Sequence, residues 1–576
     1  MKKLLRYLSE YKLEAFLGPL FKLLEASFEL IVPLVVAAII DNGIVRSDKP
    51  YIFKMSLVLV LLALVGFTCS VIAQYFAAKA ATHFAKGVKR DLFANIQELS
   101  YEQIDRLGTT TLITRMTSDM NQVQQGINLS LRLLLRSPFV VFGAMVMAFT
   151  IDFGQAMIFL VTIVILSIVV FGIMLWGIPR YKQVQAMLDK VLGLTRENLS
   201  GVRVIRAFGR EEDEVSAFKQ QNDALTKLQE YVGRISSLMN PLTYVILNFA
   251  VIVLLYTGAS KVNTGALTTG SVVALYNYMS QILVELIKLA SLIITITRAV
   301  ACGNRIQLML EEKPSMAYGD LDNDLDYNGE LISFENVCMR YGDDIEDSLS
   351  GVSFSAKKGE SVGIIGGTGS GKTTLINLIP RFYDATSGTI RFKGKNIKDY
   401  KKEAVLSTIG VVPQKAALFK GSIRDNLKWG NYNATDDELW DALKTAQAVE
   451  VVKEKKGELD AQVTQGGRNF SGGQKQRLTI ARALAKKPEI LILDDSSSAL
   501  DNMTDKNLRE AIKTLPYEPL TFIVSQRASS VISCDKIIVL DDGEVMGMGT
   551  HDELLKNCET YREIYESQFG EGKKDA

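Results

Sequence analysis

Six apolar stretches fill about half of the first 300 residues: Leu13–Ile40, Ile52–Ala78, Leu133–Ile151, Ala156–Ile178, Pro241–Val262 and Ser271–Thr297. A helix needs roughly 20 mostly apolar residues to cross the hydrocarbon core of a bilayer. In lipid every backbone polar group must be satisfied internally, which leaves helices and closed barrels as the available solutions. Repeated runs of this length therefore predict an α-helical domain of six spans. Phe139–Phe149 and Met157–Trp176 carry no charge at all.

The connections predict the orientation. Asp41–Pro50, Asp152–Gln155 and Asn263–Gly270 are short and hold only Arg46 and Lys49 as basic residues. The other two connections are long and basic. One carries Lys86, Lys89, Arg90, Arg106, Arg115 and Arg132; the other runs from Arg180 to Arg234 with ten Lys or Arg. Positive residues stay on the cytoplasmic side, so both termini and the long connections are expected in the cytosol. Phe84–Leu107 and Val184–Phe208 keep helical spacing of apolar residues. Spanning helices that continue into the cytosol and turn back there are expected, with amphipathic helices lying on the bilayer as the alternative.

Ionisable residues within spans usually face protein or a wet cavity. Glu25 and Glu29 lie one turn apart in the first span. Glu285 and Lys288 lie at i, i+3 in the sixth, where they can pair. These four are candidate cavity residues, with a structural Glu285–Lys288 pair as the plainer reading.

Composition supports a two-part chain. Hydrophobic residues make up 48% of the 576, yet 22% are charged. Lys+Arg and Asp+Glu total 65 and 64, a net charge of +1, which argues against a nucleic-acid partner. Five cysteines without a Cys-x-x-Cys pair, and two histidines, predict no zinc or disulfide framework. Lys12, Glu14, Lys22 and Glu25 interrupt the first apolar run, so it is expected to remain in the mature protein. An acidic stretch with Pro314, Gly319 and Gly329 separates the two parts. The expected division is a membrane domain over 1–312, a linker over 313–329 and an α/β nucleotide-binding domain over 330–576.

The second part carries Gly366-Gly367-Thr368-Gly369-Ser370-Gly371-Lys372-Thr373, followed by Thr374. It follows the apolar run Ser361–Ile365 and opens a predicted helix over Lys372–Phe382, the context a phosphate-binding loop requires. Its glycines let backbone N–H groups close around phosphate oxygens, with a helix N-terminus behind them. Lys372 is suited to the β- and γ-phosphates and Thr373 to Mg²⁺. Ile490-Leu491-Ile492-Leu493-Asp494 reads as a strand ending in a carboxylate that reaches the same metal.

Between them lies Phe470-Ser471-Gly472-Gly473-Gln474. With it the chain resembles the ATP-binding cassette (ABC) family, in which this run stands at the signature, with Phe for the usual Leu. The resemblance extends to Asp494 at the end of the Walker B strand, Ser498–Asp501 as the D-loop, Gln414 after Val411-Val412-Pro413 as a Q-loop glutamine that also reaches Mg²⁺, and Tyr341 as the aromatic under adenine. Six spans ahead of one cassette resemble an exporter half-transporter, with coupling helices near Arg106–Arg115 and Glu197–Phe208. The resemblance implies ATP and Mg²⁺ as cofactors. It also implies a dimer, because Ser471, Gly472, Gly473 and Gln474 of one cassette would meet the γ-phosphate of ATP held by the other.

The chain departs from the family where water is activated. Asp495 stands where the family has Glu, one methylene shorter, and Gln526 stands where it has a switch histidine. Gln cannot carry a proton as His can. Gln465 replaces a usual Glu before the signature, and Ser496 a common Pro or Ala. A misplaced base costs about 10²–10⁴-fold in rate. The expectation is an ATP-driven exporter subunit of the plasma membrane that binds ATP and hydrolyses it slowly. It would pair with a second, non-identical half-transporter, resembling the degenerate-site subunit of bacterial heterodimeric multidrug exporters. Membrane lipids surround it and an amphipathic molecule is the expected cargo. A lipid or peptide exporter and a cassette-gated channel are the alternatives.

Overall fold

The structure, a computed structural model, describes residues 1–323, 327, 329–342 and 346–569, with the backbone alone for Lys2. Residues 324–326 and 328 of the expected linker, and 570–576 of the expected nucleotide-binding domain, lie outside the described residues. Internal contacts divide the chain into two compact units. One holds Met1–Gln97 with Gly108–Lys313, and the other Glu98–Leu107 with everything from Pro314.

The first unit is helical. A 3₁₀ segment, Lys2–Tyr11, leads into α1 (Lys12–Ala38) and α2 (Lys49–Glu98). Past the short α3 (Tyr101–Leu107) come α4 (Thr109–Thr114), α5 (Met120–Leu133), α6 (Arg136–Ile151), α7 (Phe153–Ser200), α8 (Val202–Ala207), α9 (Glu211–Ser237), α10 (Met239–Asn263) and α11 (Thr269–Glu311). Among the described residues, six helical stretches are long and apolar enough to cross a membrane, as expected. Two helices, α2 and α7, run unbroken for 50 and 48 residues. At 1.5 Å per residue each is over 70 Å long, more than twice the hydrocarbon thickness of about 30 Å. The apolar spans thus continue directly into their polar extensions, and the reading of separate helices lying on the bilayer does not apply to them. One residue, Asp152, separates α6 from α7; its side chain accepts from the Gln155 N–H at 2.7 Å and caps the new helix. Small residues such as Ala26, Ala144, Ala148 and Ala274 are fully buried where α1, α6 and α11 meet. Close backbone approach at small residues is how helices pack without a hydrophobic driving force between them.

The second connection differs from the expected pattern. The segment Arg106–Arg115 is not one helix: Gly108 has φ of 75° and divides α3 from α4. The short helix that packs on the nucleotide-binding fold is α3, upstream of most of that segment, and its contacts are described below.

The second unit contains β1 (Glu330–Met339), β2 (Leu349–Lys357), β3 (Ser361–Gly366), β4 (Ser387–Phe392), β5 (Lys395–Asn396), β6 (Ile409–Val412), β7 (Gly421–Ser422), β8 (Gln462–Val463), β9 (Ile490–Asp494), β10 (Leu520–Ser525), β11 (Lys536–Asp541) and β12 (Glu544–Gly549). Its helices are α12 (Lys372–Leu378), α13 (Lys402–Thr408), α14 (Ile423–Lys428), α15 (Asp436–Thr445), α16 (Val449–Lys453), α17 (Gly472–Leu484), α18 (Asn502–Lys513), α19 (Ala528–Val531), α20 (His551–Asn557) and α21 (Glu559–Phe569). The expected helix Lys372–Phe382 ends as an α-helix at Leu378; Ile379 keeps helical angles, but Pro380 has no N–H with which to continue the hydrogen-bond ladder.

Six strands form the central sheet in the order β12-β11-β3-β10-β9-β6, parallel except for β12. A four-stranded antiparallel sheet, β2-β1-β4-β5, shares an apolar core with one face of it. Helices α14 to α18 cover the other face. With both faces covered, β3, β9 and β10 are buried at every position, which is why they read as unbroken apolar runs.

Candidate functional site

The carboxyl ends of β3, β9, β10 and β6 converge, the usual place for a ligand in a parallel α/β sheet. Here Thr368, Gly369, Ser370, Gly371, Lys372, Thr373 and Thr374 line a cleft of about 250 Å³ together with Ser348, Gln414, Asp494, Asp495, Val524, Ser525 and Gln526. The fold thus gathers in one place residues separated by more than 150 positions. Gly366 ends β3 where a Cβ would lie 2.1 Å from the Leu540 carbonyl oxygen, so no larger residue fits there. Gly371 turns with φ of 90°, which glycine adopts without strain, and α12 starts at Lys372. The Lys372 ammonium donates to the Gly366 carbonyl at 3.0 Å, to the Ser370 hydroxyl at 3.2 Å and to the Gly367 carbonyl. It is folded over its own loop, and burial lowers its pKa against the opposing pull of Asp495 and Asp494.

Two carboxylates face this lysine. Asp494 is 8% exposed, and burial, with Asp495 next in importance, raises its pKa to about 6. Asp495 has φ of 43°, a left-handed conformation that a short polar side chain tolerates better than a bulky one. Its N–H donates to the Val524 carbonyl at 3.0 Å, which ties it to β10. Its Oδ2 accepts from the Gln414 amide at 3.2 Å. A buried carboxylate held against a second carboxylate suits a divalent cation, which relieves both burial and repulsion. The hydroxyl of Thr373, the amide oxygen of Gln414 and the carboxylate of Asp494 form an all-oxygen donor set of the kind Mg²⁺ takes. The fit to a magnesium–triphosphate is therefore good.

Gly366 and Gly367 precede the loop residues that line this cleft, and two further sequence-predicted groups stand outside it. Tyr341 is 40% exposed, donates to the Thr374 hydroxyl at 3.1 Å and meets Tyr383 edge-on at 5.2 Å. Ser471 to Gln474 do not line the cleft. They open α17 through a capping box: the Gln474 N–H donates to the Ser471 hydroxyl at 3.3 Å, and the Ser471 N–H to the Gln474 amide oxygen at 3.0 Å. Gly472 and Gly473 are the first helical residues, whose N–H groups have no preceding turn to bond. A Cβ on Gly473 would lie 2.9 Å from the Ala499 carbonyl oxygen, so glycine lets the Ser498–Asp501 segment approach.

Sequence reading missed three sets of residues. Tyr101 of α3 stacks on Phe382 at 4.4 Å, and the Tyr383 hydroxyl donates to Asp105. A chain of side chains thereby runs from Tyr341 through Tyr383 to α3; no local spacing announces it. Arg136, inside the third span, donates at 2.6 Å to both Glu285 and Glu29. Glu285 also accepts from Ser137 and Lys288, each at 2.8 Å, so the expected i, i+3 pair is one part of a larger network. A lone arginine in an apolar run was the available signal. Glu25 pairs instead with Lys22. Finally, the Gln568 side chain bonds the backbone around Gln526.

Known proteins share both halves. The ABC transporter transmembrane region matches residues 15–286, and the ABC transporter family matches residues 349–498. The ABC transporter ATP-binding protein YfiB of Bacillus subtilis is 37% identical, over 99% of both chains. A putative multidrug export ATP-binding/permease protein of the same organism, YgaD, is 29% identical, as is an ATP-dependent lipid A-core flippase of Desulfotalea psychrophila, each over 99% of both chains. The solved structure of a bacterial Atm1-family ABC exporter with ATP bound shares the fold, with a TM-score of 0.77, 22% identity and 99% coverage of each chain. The chain belongs to the ABC transporter family, as a multi-pass exporter half-transporter that joins one membrane domain to one ATP-binding domain, an architecture that implies dimerisation.

Proposed function

We propose that this chain is the slow-site subunit of a heterodimeric ABC exporter that moves amphipathic small molecules out across the plasma membrane. The observation that carries the proposal is the cleft lining. Asp495 and Gln526, the departures from the family at the positions that handle water and its proton, both line the cleft that also holds Lys372 and Asp494.

ATP binding draws on the loop N–H groups and Lys372 for the phosphates, with Tyr341 under the adenine. Lys372 must leave its own loop carbonyls to reach a phosphate, an exchange of neutral acceptors for a charged and stronger one. Thr373, Gln414 and Asp494 are the residues suited to Mg²⁺, which supplies charge neutralisation at the phosphate oxygens. Hydrolysis further requires a base and a proton carrier. The Asp495 carboxylate reaches one methylene less far than glutamate, and its Oδ2 is engaged by Gln414. Gln526 orients a phosphate oxygen or a water by hydrogen bonding and carries no proton.

The site is thus suited to hold ATP and slow to cleave it. Its signature, Ser471 to Gln474, completes a second site on the partner, which carries the hydrolysis. Two ATP molecules bound between cassettes favour the closed dimer. Moving a two-state equilibrium from 1:99 to 99:1 takes about 5.5 kcal/mol of differential affinity, within reach of two sets of phosphate contacts. Closure draws the cytosolic helix ends together. Both termini and the nucleotide-binding domain lie in the cytoplasm on this reading, supported by the basic long connections. The lipid A-core flippase relative favours a second reading, a lipid cargo on the same scaffold.

Purified alone, the chain is expected to bind ATP and turn it over at a small fraction of the rate it shows with its partner. Brisk turnover by a homodimer would overturn the proposal. In the heterodimer, changing the partner's Walker B Glu to Gln should abolish turnover, whereas Asp495→Asn should change it little. Drug-stimulated turnover in vesicles supports the small-molecule reading, and stimulation by lipid alone supports the second.

A further inference from the structure

The segment after β10 must present Gln526 to the cleft with little regular structure to hold it. Gln526 is exposed, and α19, which begins two residues later, is four residues long. The first N–H groups of a helix have no partner within it. Here they find side chains. The Arg527 N–H donates to the Ser525 hydroxyl at 3.0 Å. The Ala528 N–H donates to the Gln568 amide oxygen at 2.8 Å, and the Gln568 amide nitrogen donates to the Gln526 carbonyl at 2.8 Å. One side chain, 40 residues downstream, therefore brackets the loop on both sides of Arg527.

Gln568 is well placed to impose this geometry. It lies on α21 two turns after Tyr561, so the two share a helix face. Tyr561 is fully buried, and its hydroxyl meets His551 Nδ1 at 2.8 Å. Ile564 and Tyr565, on the same face, pack against the core beneath the central sheet. The loop is also steadied from the other side, where the Ser530 and Ser497 hydroxyls lie 3.4 Å apart.

We propose that Gln568 is a positioning residue for nucleotide binding: its amide fixes the main chain at Gln526 and Ala528 so that the Gln526 side chain faces the phosphates. The clamp rests on the reading of the Lys372–Asp494 cleft as the ATP site. It does not depend on whether that site hydrolyses ATP. Releasing the loop lets Gln526 sample other orientations, and part of the binding energy then goes into ordering it.

The test is ATP affinity of the full-length chain in detergent micelles with Mg²⁺, read by displacement of TNP-ATP. Gln568→Met keeps the side-chain length and removes both hydrogen bonds; two bonds of ordinary strength predict about fivefold to tenfold weaker ATP binding. A double-mutant cycle separates positioning from general stability. In a Gln526→Ala background, Gln568→Met should cause no further loss, because there is no longer a side chain to position. Unchanged affinity in Gln568→Met would overturn the clamp. An equal loss in both backgrounds would overturn it too, showing that the amide acts on the fold and not through Gln526. Failure of the unmodified chain to bind ATP would instead overturn the reading of the cleft, and the clamp with it.

Discussion

Asp495 and Gln526 concentrate the functional question into two side chains. If reach and proton transfer are what the site lacks, restoring both should restore chemistry. Asp495→Glu combined with Gln526→His is expected to raise hydrolysis at this chain's own cleft about 100-fold. The measurement is ATPase activity with the partner's Walker B Glu changed to Gln, so that only this cleft reports. No rise would mean that the slow step lies elsewhere. Asp494 carries a separate cost. Its pKa is raised from an ordinary 3.8 to about 6 by burial and by Asp495. As pH rises, the unfolded chain ionises first, so stability is lost between about pH 4 and 6 and the loss is complete above that window. Asp494→Asn should therefore stabilise the nucleotide-free protein at pH 7.5, by up to about 3 kcal/mol, and give no such gain at pH 4. Thermal melting at the two pH values checks the sign, and loss of the ATP-induced increase in Tm would mark the forfeited metal ligand.

At the scale of elements, two contacts join helices that sequence leaves unconnected. Where α1, α6 and α11 meet, Arg136 and Glu285 are both more than nine-tenths buried. Removing one member of such a pair leaves the other charged and unpaired, which typically costs about 3–5 kcal/mol. Arg136→Met should depress the melting temperature in detergent, and adding Glu285→Leu should recover much of it. Equal melting of the single and double variants would show that the charge pair is not what holds these helices. The second contact is α3 against the nucleotide-binding fold. Tyr383→Phe keeps the ring packing on Tyr341 and removes the bond to Asp105. It should speed amide hydrogen exchange in Tyr101–Leu107 by about fivefold and leave β9 unchanged. Unchanged exchange in α3 would mean that the stacked rings suffice.

The molecule as a whole is a polypeptide with one phosphate loop and one signature that do not meet within the chain. Its topology is open to a direct check. In a cysteine-free background, Ser47→Cys in the short first connection should react with a membrane-impermeant maleimide in intact cells. Lys227→Cys on α9 should react only after permeabilisation. The reverse pattern would invert the proposed orientation. The number of spans, the apolar runs that form β3 and β9, and the phosphate-loop motif were legible in the sequence. The helix breaks at Leu99–Ser100 and at Gly108 were not: the helical spacing of apolar residues read over Phe84–Leu107 runs across the first, and at the second a single glycine with positive φ redirects the chain. Arg136 went unread because a charge in an apolar run is informative only once its partners on α1 and α11 are known.

Lipid fixes span length and the phosphate group fixes loop chemistry, so both left marks within short windows of sequence: about 20 apolar residues in one case, Gly366 to Thr373 in the other. What stayed hidden were relations between distant residues. Gln568 holding the backbone at Gln526, Tyr383 reaching Asp105 and Arg136 bridging Glu29 and Glu285 are separated by 42, 278 and up to 149 positions. No local periodicity encodes such pairs. They arise when packing brings separate elements within hydrogen-bonding distance, and the cost of leaving a polar group unpaired selects which partners meet.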